Sequence, residues 1–176
     1  SQAKRCSDIL KRISKKEIRD DQFINLTKVE DLLEEIIISF EETSDKKITL
    51  LENGDKNKIN IKRSPEIVYG LRNFIGNAIK FADEEVIIEI TSNDKTLILL
   101  INDDGPGYAE DIIKFIGEPY LKSKSKKTNS KAGLGLGIFL GKTLLERKKA
   151  QLFFSNNEDL KGASVKIIWN IPDIKN

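Results

Sequence analysis

Apolar positions along the chain change their spacing several times, and each change marks an element. Over residues 1–19 the small or apolar positions are Ala3, Cys6, Ile9, Leu10 and Ile13 in a strongly charged background. That spacing predicts a helix with one narrow apolar stripe, suited to pairing with another helix. "QFINL" (22–26) reads as a strand, and "TKVEDLLEEIIISFEE" (27–42) as a helix capped by Thr27, with Glu30 completing a capping box. "KKITLLENGDKNKINIK" (46–62) alternates on both sides of Asn53, Gly54 and Asp55, which predicts a hairpin. Ser64 and Pro65 open a second helix, whose apolar side is Val68, Leu71, Phe74, Ile75, Ala78 and Ile79. "EEVIIEITSN" and "KTLILLINDD" then read as two strands turning at Asn93 and Asp94, and "YAEDIIKFIG" (108–117) as a short helix. A polar, lysine-rich loop leads into a glycine-led helix near residue 135, and "QLFFSN" with "ASVKIIWNIP" forms a closing hairpin. Strands joined mostly by tight turns, with helices between, predict an α+β two-layer sandwich: a mixed, mostly antiparallel sheet under helices, preceded by a short helical segment.

Composition narrows what such a domain can do. The 30 basic and 28 acidic residues leave a net charge of +2, so no strong field calls for nucleic acid or an anionic membrane, and any phosphate binding must be local. The apolar runs are far shorter than the ~20 residues of a membrane span. A single cysteine, Cys6, excludes an internal disulfide, and the absence of histidine excludes a histidine base, nucleophile or metal ligand.

Three stretches carry candidate chemistry. Asn73, Asn77 and Lys80 fall at i, i+4 and i+7, one line down the second helix, although asparagine is a poor residue for a helix interior. An amide carbonyl there can ligate Mg²⁺, which takes few protein ligands, and Lys80 can meet a phosphate; a solvated polar face is the plainer alternative. In "NDDGPGY" (102–108), Asp103 or Asp104 stands where an apolar strand opens into a loop. A carboxylate only accepts, which suits an exocyclic amine such as that of adenine, and Gly105 and Gly107 let backbone approach a flat ring. In "KAGLGLGIFL" (131–140), Gly133, Gly135 and Gly137 with Leu134 and Leu136 stand at a helix entrance, where N–H groups and the helix dipole favour an anion. Lys122 and Lys124 in the preceding loop add charge. The order metal, base, phosphate describes a nucleotide site.

With those stretches in hand, the sequence resembles the ATP-binding catalytic domain of bacterial sensor histidine kinases, in the GHKL superfamily (Bergerat fold) shared with gyrase B, Hsp90 and MutL. "NFIGNAIKF" resembles its N box, "DDGPG" its first glycine box and "GLGLG" its second. "YGLRNFIGNAIKFA", "GEPY", "GLGLGIFLGKTLLER" and "GASVKIIW" look like the redox-responsive RegB, PrrB and ActS group. The resemblance implies that Asn77 ligates Mg²⁺, that Asp103 accepts from adenine, that Phe81 lies beside the base and Lys80 near phosphates, and that residues 109–132 form an ATP lid. It makes residues 1–19 the remnant of a second dimerisation helix and its linker, with Cys6 a redox candidate, and residues 20–176 the catalytic domain. Gly76 and Lys80 stand where close relatives carry more acidic residues. Asn73 occupies the position at which hydrolysing relatives carry a glutamate that activates water. The implied reaction is transfer of the γ-phosphoryl group of ATP to a histidine on a dimerisation domain outside this chain. The implied partners are that domain, a second copy in the full-length homodimer and a downstream response regulator. The fragment is expected in the cytoplasm and its parent in the inner membrane. Alternatives are a conformational ATPase of the gyrase B or Hsp90 kind, or a pseudo-kinase that binds nucleotide to regulate a partner.

Overall fold

The computed structural model describes residues 26–54, 59–118 and 136–175. The order is β1 (Leu26–Lys28), α1 (Val29–Glu41), β2 (Lys47–Gly54), β3 (Asn60–Lys62), α2 (Pro65–Phe81), β4 (Glu85–Ser92), β5 (Thr96–Asp103), a 3-10 turn (Ile113–Phe115), α3 (Leu136–Arg147), β6 (Gln151–Asn156), β7 (Ala163–Asn170) and α4 (Ile171–Lys175). Five strands form a sheet in the order β2-β4-β5-β7-β6, parallel between β2 and β4 and antiparallel elsewhere, while β1 and β3 form a separate antiparallel pair. This is the mixed, mostly antiparallel α+β sandwich that the sequence predicts.

Strand alternation sets the layers. Leu97, Leu99, Ile101 and Asp103 share one face of β5, opposite Val86, Ile88 and Ile90 of β4 and Val165, Ile167 and Trp169 of β7. Those hydrophobic side chains are buried under Leu71, Phe74, Ile75 and Ala78 of α2, and each contributes about 1.5–3 kcal/mol of transfer free energy. Asp103 continues the inward series by one step, so the period that builds the core also buries its carboxylate at the rim.

α2 is the central ruler. The Ser64 hydroxyl accepts from the Ile67 N–H at 3.3 Å, Pro65 occupies the first turn, and Lys46 Nζ donates to the Ile79 carbonyl at 2.6 Å near the other end. α3 crosses it closely because glycines remove the spacer: a Cβ on Gly70 lies 2.5 Å from Leu145 Cδ2, and one on Gly141 lies 2.9 Å from Phe74 Cε2. At Gly76, a Cβ meets Phe40 Cζ at 3.1 Å, so the ring of α1 fills the space that a larger residue at 76 needs.

Four local expectations are corrected. Residues 46–62 are not a hairpin: β2 pairs with β4 and β3 with β1, because β2 finds its partner only after α2 has folded back over it. Thr27 does not cap α1; it lies inside β1, and the cap position is Lys28, with no side-chain bond. Only Ile113–Phe115 of the 108–117 segment is helical, since its start is held as a turn by the contacts described below. "NIP" ends the last strand and begins α4 rather than extending the hairpin. The strand expected at residues 22–26 falls, apart from Leu26, outside the described residues, as does the helix expected at 1–19.

Candidate functional site

The mouth of the site lies where α2 ends above β5. Asn73, Asn77 and Phe81 follow one another at four-residue steps, about 6 Å apart along the axis. A Cβ added to Gly137, in the first turn of α3, lies 3.4 Å from Asn77 Nδ2 and 3.8 Å from Asn73 Oδ1, so both amides stand against the backbone that opens α3. Asn73 spends its Nδ2 on the Tyr69 carbonyl at 2.9 Å. Asn77 is half-buried and makes no hydrogen bond among the described residues. Lys80 is exposed, and its Nζ lies over the Phe81 ring, 5.3 Å from the centroid. Leu136 is 40% exposed at the start of α3. Lys122, Lys124, Gly133, Leu134, Gly135 and Cys6 lie outside the described residues, as does the lid span from 119 to 132.

The two aspartates left open by the sequence have different roles here. Asp104 turns back to the link between α2 and β4: its carboxylate accepts from the Asp83 N–H at 2.8 Å and the Glu84 N–H at 3.1 Å. Burial works upward on its pKa, but the N–H groups of Glu84, Glu85 and Asp83 outweigh it and hold the group below its ordinary value. Asp103 is 4% exposed, and its Oδ1 accepts from the Gly105 N–H at 2.9 Å and the Ala163 N–H at 3.2 Å. Burial raises its pKa, the two N–H bonds oppose the rise without cancelling it, and the charges of Asp104 and Asp83 add to it. The bonds to Oδ1 leave the lone pairs of Oδ2 as acceptors for a ligand.

Sequence reasoning passed over the supports of this carboxylate. A Cβ on Gly105 would overlap the Phe81 carbonyl, and one on Gly162 would overlap the Asp103 carbonyl, so both positions exist for close backbone approach. The lone glycine of the β6–β7 loop is the only signal that pointed to Gly162. Gly107 has φ +74°, and the neighbouring Tyr108 ring stands edge-on to Phe154 with centroids 6.3 Å apart. Burial, reinforced by the charge of Asp103, pushes the Tyr108 phenol far above its ordinary pKa.

The raised pKa of Asp103 has a consequence for binding. A donor such as an amine needs the ionised carboxylate, so affinity for any ligand that donates to Asp103 is expected to fall as pH drops through the folded-state pKa, beginning above the ordinary carboxylate value of about 4. Folding has the opposite sign: the stabilising contribution of this group is present at acid pH and is lost as pH rises through that pKa. Nucleotide titrations between about pH 4 and 7 check this, and Asp103→Asn is expected to remove the pH dependence.

No group of three or more Asp, Glu, His or Cys side chains among the described residues is arranged to hold a metal by itself. Among them, no helix is long and apolar enough to cross a membrane.

Residues 63–173 match the family of histidine kinase-, DNA gyrase B- and HSP90-like ATPases, more than half the chain, and the chain belongs to that family. Among curated relatives, it is 38% identical over 133 residues to the sensor histidine kinase RegB of Cereibacter sphaeroides, covering 67% of this chain and 29% of that protein. It is 24% identical over 149 residues to the sensor histidine kinase CssS of Bacillus subtilis, covering 83% of this chain and 30% of that one. The chain thus spans about three tenths of the length of these relatives. Among solved structures, the catalytic domain of the histidine kinase ThkA superposes with a TM-score of 0.67 at 19% identity, covering 83% of this chain and 96% of that domain. The mycobacterial sensor histidine kinase MprB also gives 0.67, at 15% identity, with 84% and 97% covered. At these identities the superpositions establish a shared fold.

Proposed function

We propose that this chain is the ATP-binding catalytic domain of a sensor histidine kinase related to RegB. It binds ATP with Mg²⁺ and delivers the γ-phosphoryl group to a histidine of a dimerisation domain. In that step an imidazole nitrogen forms a bond to Pγ, the bond from Pγ to the bridging oxygen breaks, and ADP leaves. The observation that carries the reading is the buried, outward-accepting Asp103 set below a line of amides rather than acids on α2. That line supplies no water-activating base at position 73, so the domain holds ATP without hydrolysing it rapidly. The chain contains no histidine, so the acceptor belongs to another segment or chain.

Asp103 takes the adenine amine, with Phe81, Gly105 and Gly107 around the ring. Lys80 and the first turn of α3, with Leu136 and Gly137, serve the phosphates; the family resemblance assigns the same role to Lys122, Lys124, Gly133, Leu134 and Gly135, which fall outside the described residues. The donor set fits Mg²⁺: Asn77 offers one neutral amide with no hydrogen bond among the described residues, beside Gly137, and phosphate oxygens bring the charge that the site lacks. Bound Mg²⁺ supplies neutralisation of the charge on the transferring group. The protein's own residues position the base and exclude a hydrolytic base. A RegB-like parent places residues 1–19 at the end of a dimerisation helix, with Cys6 on its pairing stripe as the redox candidate. It also places a homodimer in an inner membrane, a cytoplasmic catalytic domain and a response regulator downstream.

Calorimetric titration of ATP and ADP with and without Mg²⁺, alongside a phosphate-release assay, tests the reading. Binding tightened by Mg²⁺ with negligible release, and transfer to a supplied dimerisation-domain histidine, are the expected results. Brisk release without transfer replaces the kinase with a conformational ATPase, and binding without either reaction leaves a regulatory nucleotide module.

A further inference from the structure

The turn after β5 is held from two sides. Its first half is tied to the end of α2 and the link that follows it, through the Asp104 carboxylate on the Asp83 and Glu84 N–H groups and through Gly105 against the Phe81 carbonyl. Its second half, Gly107 and Tyr108, is tied to β6 instead. Asn156, the last residue of β6, accepts from the Tyr108 N–H through Oδ1 at 2.7 Å and donates from Nδ2 to the Tyr108 carbonyl at 3.0 Å. Both ends of one side-chain amide are thus spent on one backbone unit 48 residues away. A Cβ on Gly107 would stand 2.8 Å from Asn156 Oδ1, so the glycine and the asparagine fit as a pair. No other backbone hydrogen bond to Gly107 or Tyr108 is made among the described residues. Asn156 itself is exposed and lies outside the core.

Resting on the nucleotide reading above, we infer that Asn156 is a positioning residue for adenine specificity. It touches no substrate. It fixes the Gly107–Tyr108 limb so that the glycine backbone and Asp103 present a single shape to the base. Gly107 takes a left-handed conformation, and a glycine limb freed from its tie samples many others, so the cost of ordering it falls on ligand binding. The loss falls on the ligand that uses the limb. Adenine presents an amine to Asp103, whereas guanine presents a carbonyl at the same position and gains little from the ordered turn.

Asn156→Ala is expected to weaken ADP binding about tenfold, as two amide bonds of ordinary net strength imply. GDP binding is expected to stay unchanged, so that the preference for ADP narrows. The melting temperature is expected to fall by no more than about 3–6 °C, since the two bonds lost are also made in the free protein. Asn156→Asp keeps the acceptor for the Tyr108 N–H and sets a negative oxygen against the Tyr108 carbonyl, so its ADP affinity is expected between wild type and Asn156→Ala. Calorimetric titration of ADP and GDP into wild type and both variants, with thermal melts, provides the test. ADP affinity within twofold of wild type in Asn156→Ala overturns the inference. So does an equal loss for both nucleotides accompanied by a large fall in melting temperature, which marks Asn156 as a stability residue only. A wild-type chain that fails to bind ADP overturns the nucleotide reading itself, and this inference with it.

Discussion

Asp103→Asn is expected to weaken ATP at least about 100-fold while the melting temperature at neutral pH stays the same or rises. A charge-assisted hydrogen bond is worth about 1.5–3 kcal/mol, and each 1.4 kcal/mol is about tenfold. The variant also turns an acceptor into a donor facing the adenine amine, which adds repulsion to loss. The side chain keeps Oδ1, so the Gly105 and Ala163 N–H groups keep their partner. What disappears from the fold is a buried negative charge that burial already makes unfavourable in its ionised form. Alanine is the weaker test, because it strands both N–H groups and mixes a folding defect with the binding defect. Isothermal titration with ATP and a thermal melt on one preparation decide the matter; unaltered affinity moves the adenine subsite away from Asp103.

Asn77→Ala is expected to leave Mg²⁺-free ADP binding within a few-fold of wild type, to abolish the tightening of ATP by Mg²⁺, and to lower transfer to a supplied histidine by about 100- to 1000-fold. Removing one preorganised group that stabilises transition-state charge typically costs about 2.7–4 kcal/mol. The fold has little to lose, because Asn77 makes no hydrogen bond among the described residues and its truncation orphans no partner among them. Titration with and without Mg²⁺, plus single-turnover transfer, separates metal loss from nucleotide loss. Retention of the Mg²⁺ effect shifts the ligand to another group.

Both positions were legible because their signals are local. Helical spacing aligns Asn73, Asn77 and Phe81, and capping chemistry marks Ser64 and Pro65 as the start of the ruler. The residues alone left Asp103 and Asp104 open and the family resemblance chose Asp103; the structure buries Asp103 because β5 keeps its alternation from Leu97 to its last residue. Pairing across distance was not legible. The alternation of β2 and β3 is the same whether they face each other or, as here, join different sheets, and nothing within residues 46–62 names β4 as the partner. The expected capping box at Thr27 failed for a related reason, since β1 pairs with β3 and draws Thr27 into a strand. Gly162 and Asn156 act on a turn about 50–60 residues earlier, and their chemistry is generic until the sheet brings them there.

The position of β5 at the centre of the sheet also has a consequence for synthesis on the ribosome. Its β4 neighbour precedes it across a short turn, so β2, β4 and β5 can assemble once residue 103 has emerged. The other neighbour, β7, begins only at Ala163, and the partners Asp103 and Ala163 are 60 residues apart. At about 5–20 residues per second, the apolar edge of "TLILLI" waits several seconds for its cover. During that interval it is a template for any passing strand. Loss of soluble yield is therefore expected first from changes that slow the arrival or closing of the last hairpin, in a nascent chain whose finished form hides this strand completely between two others.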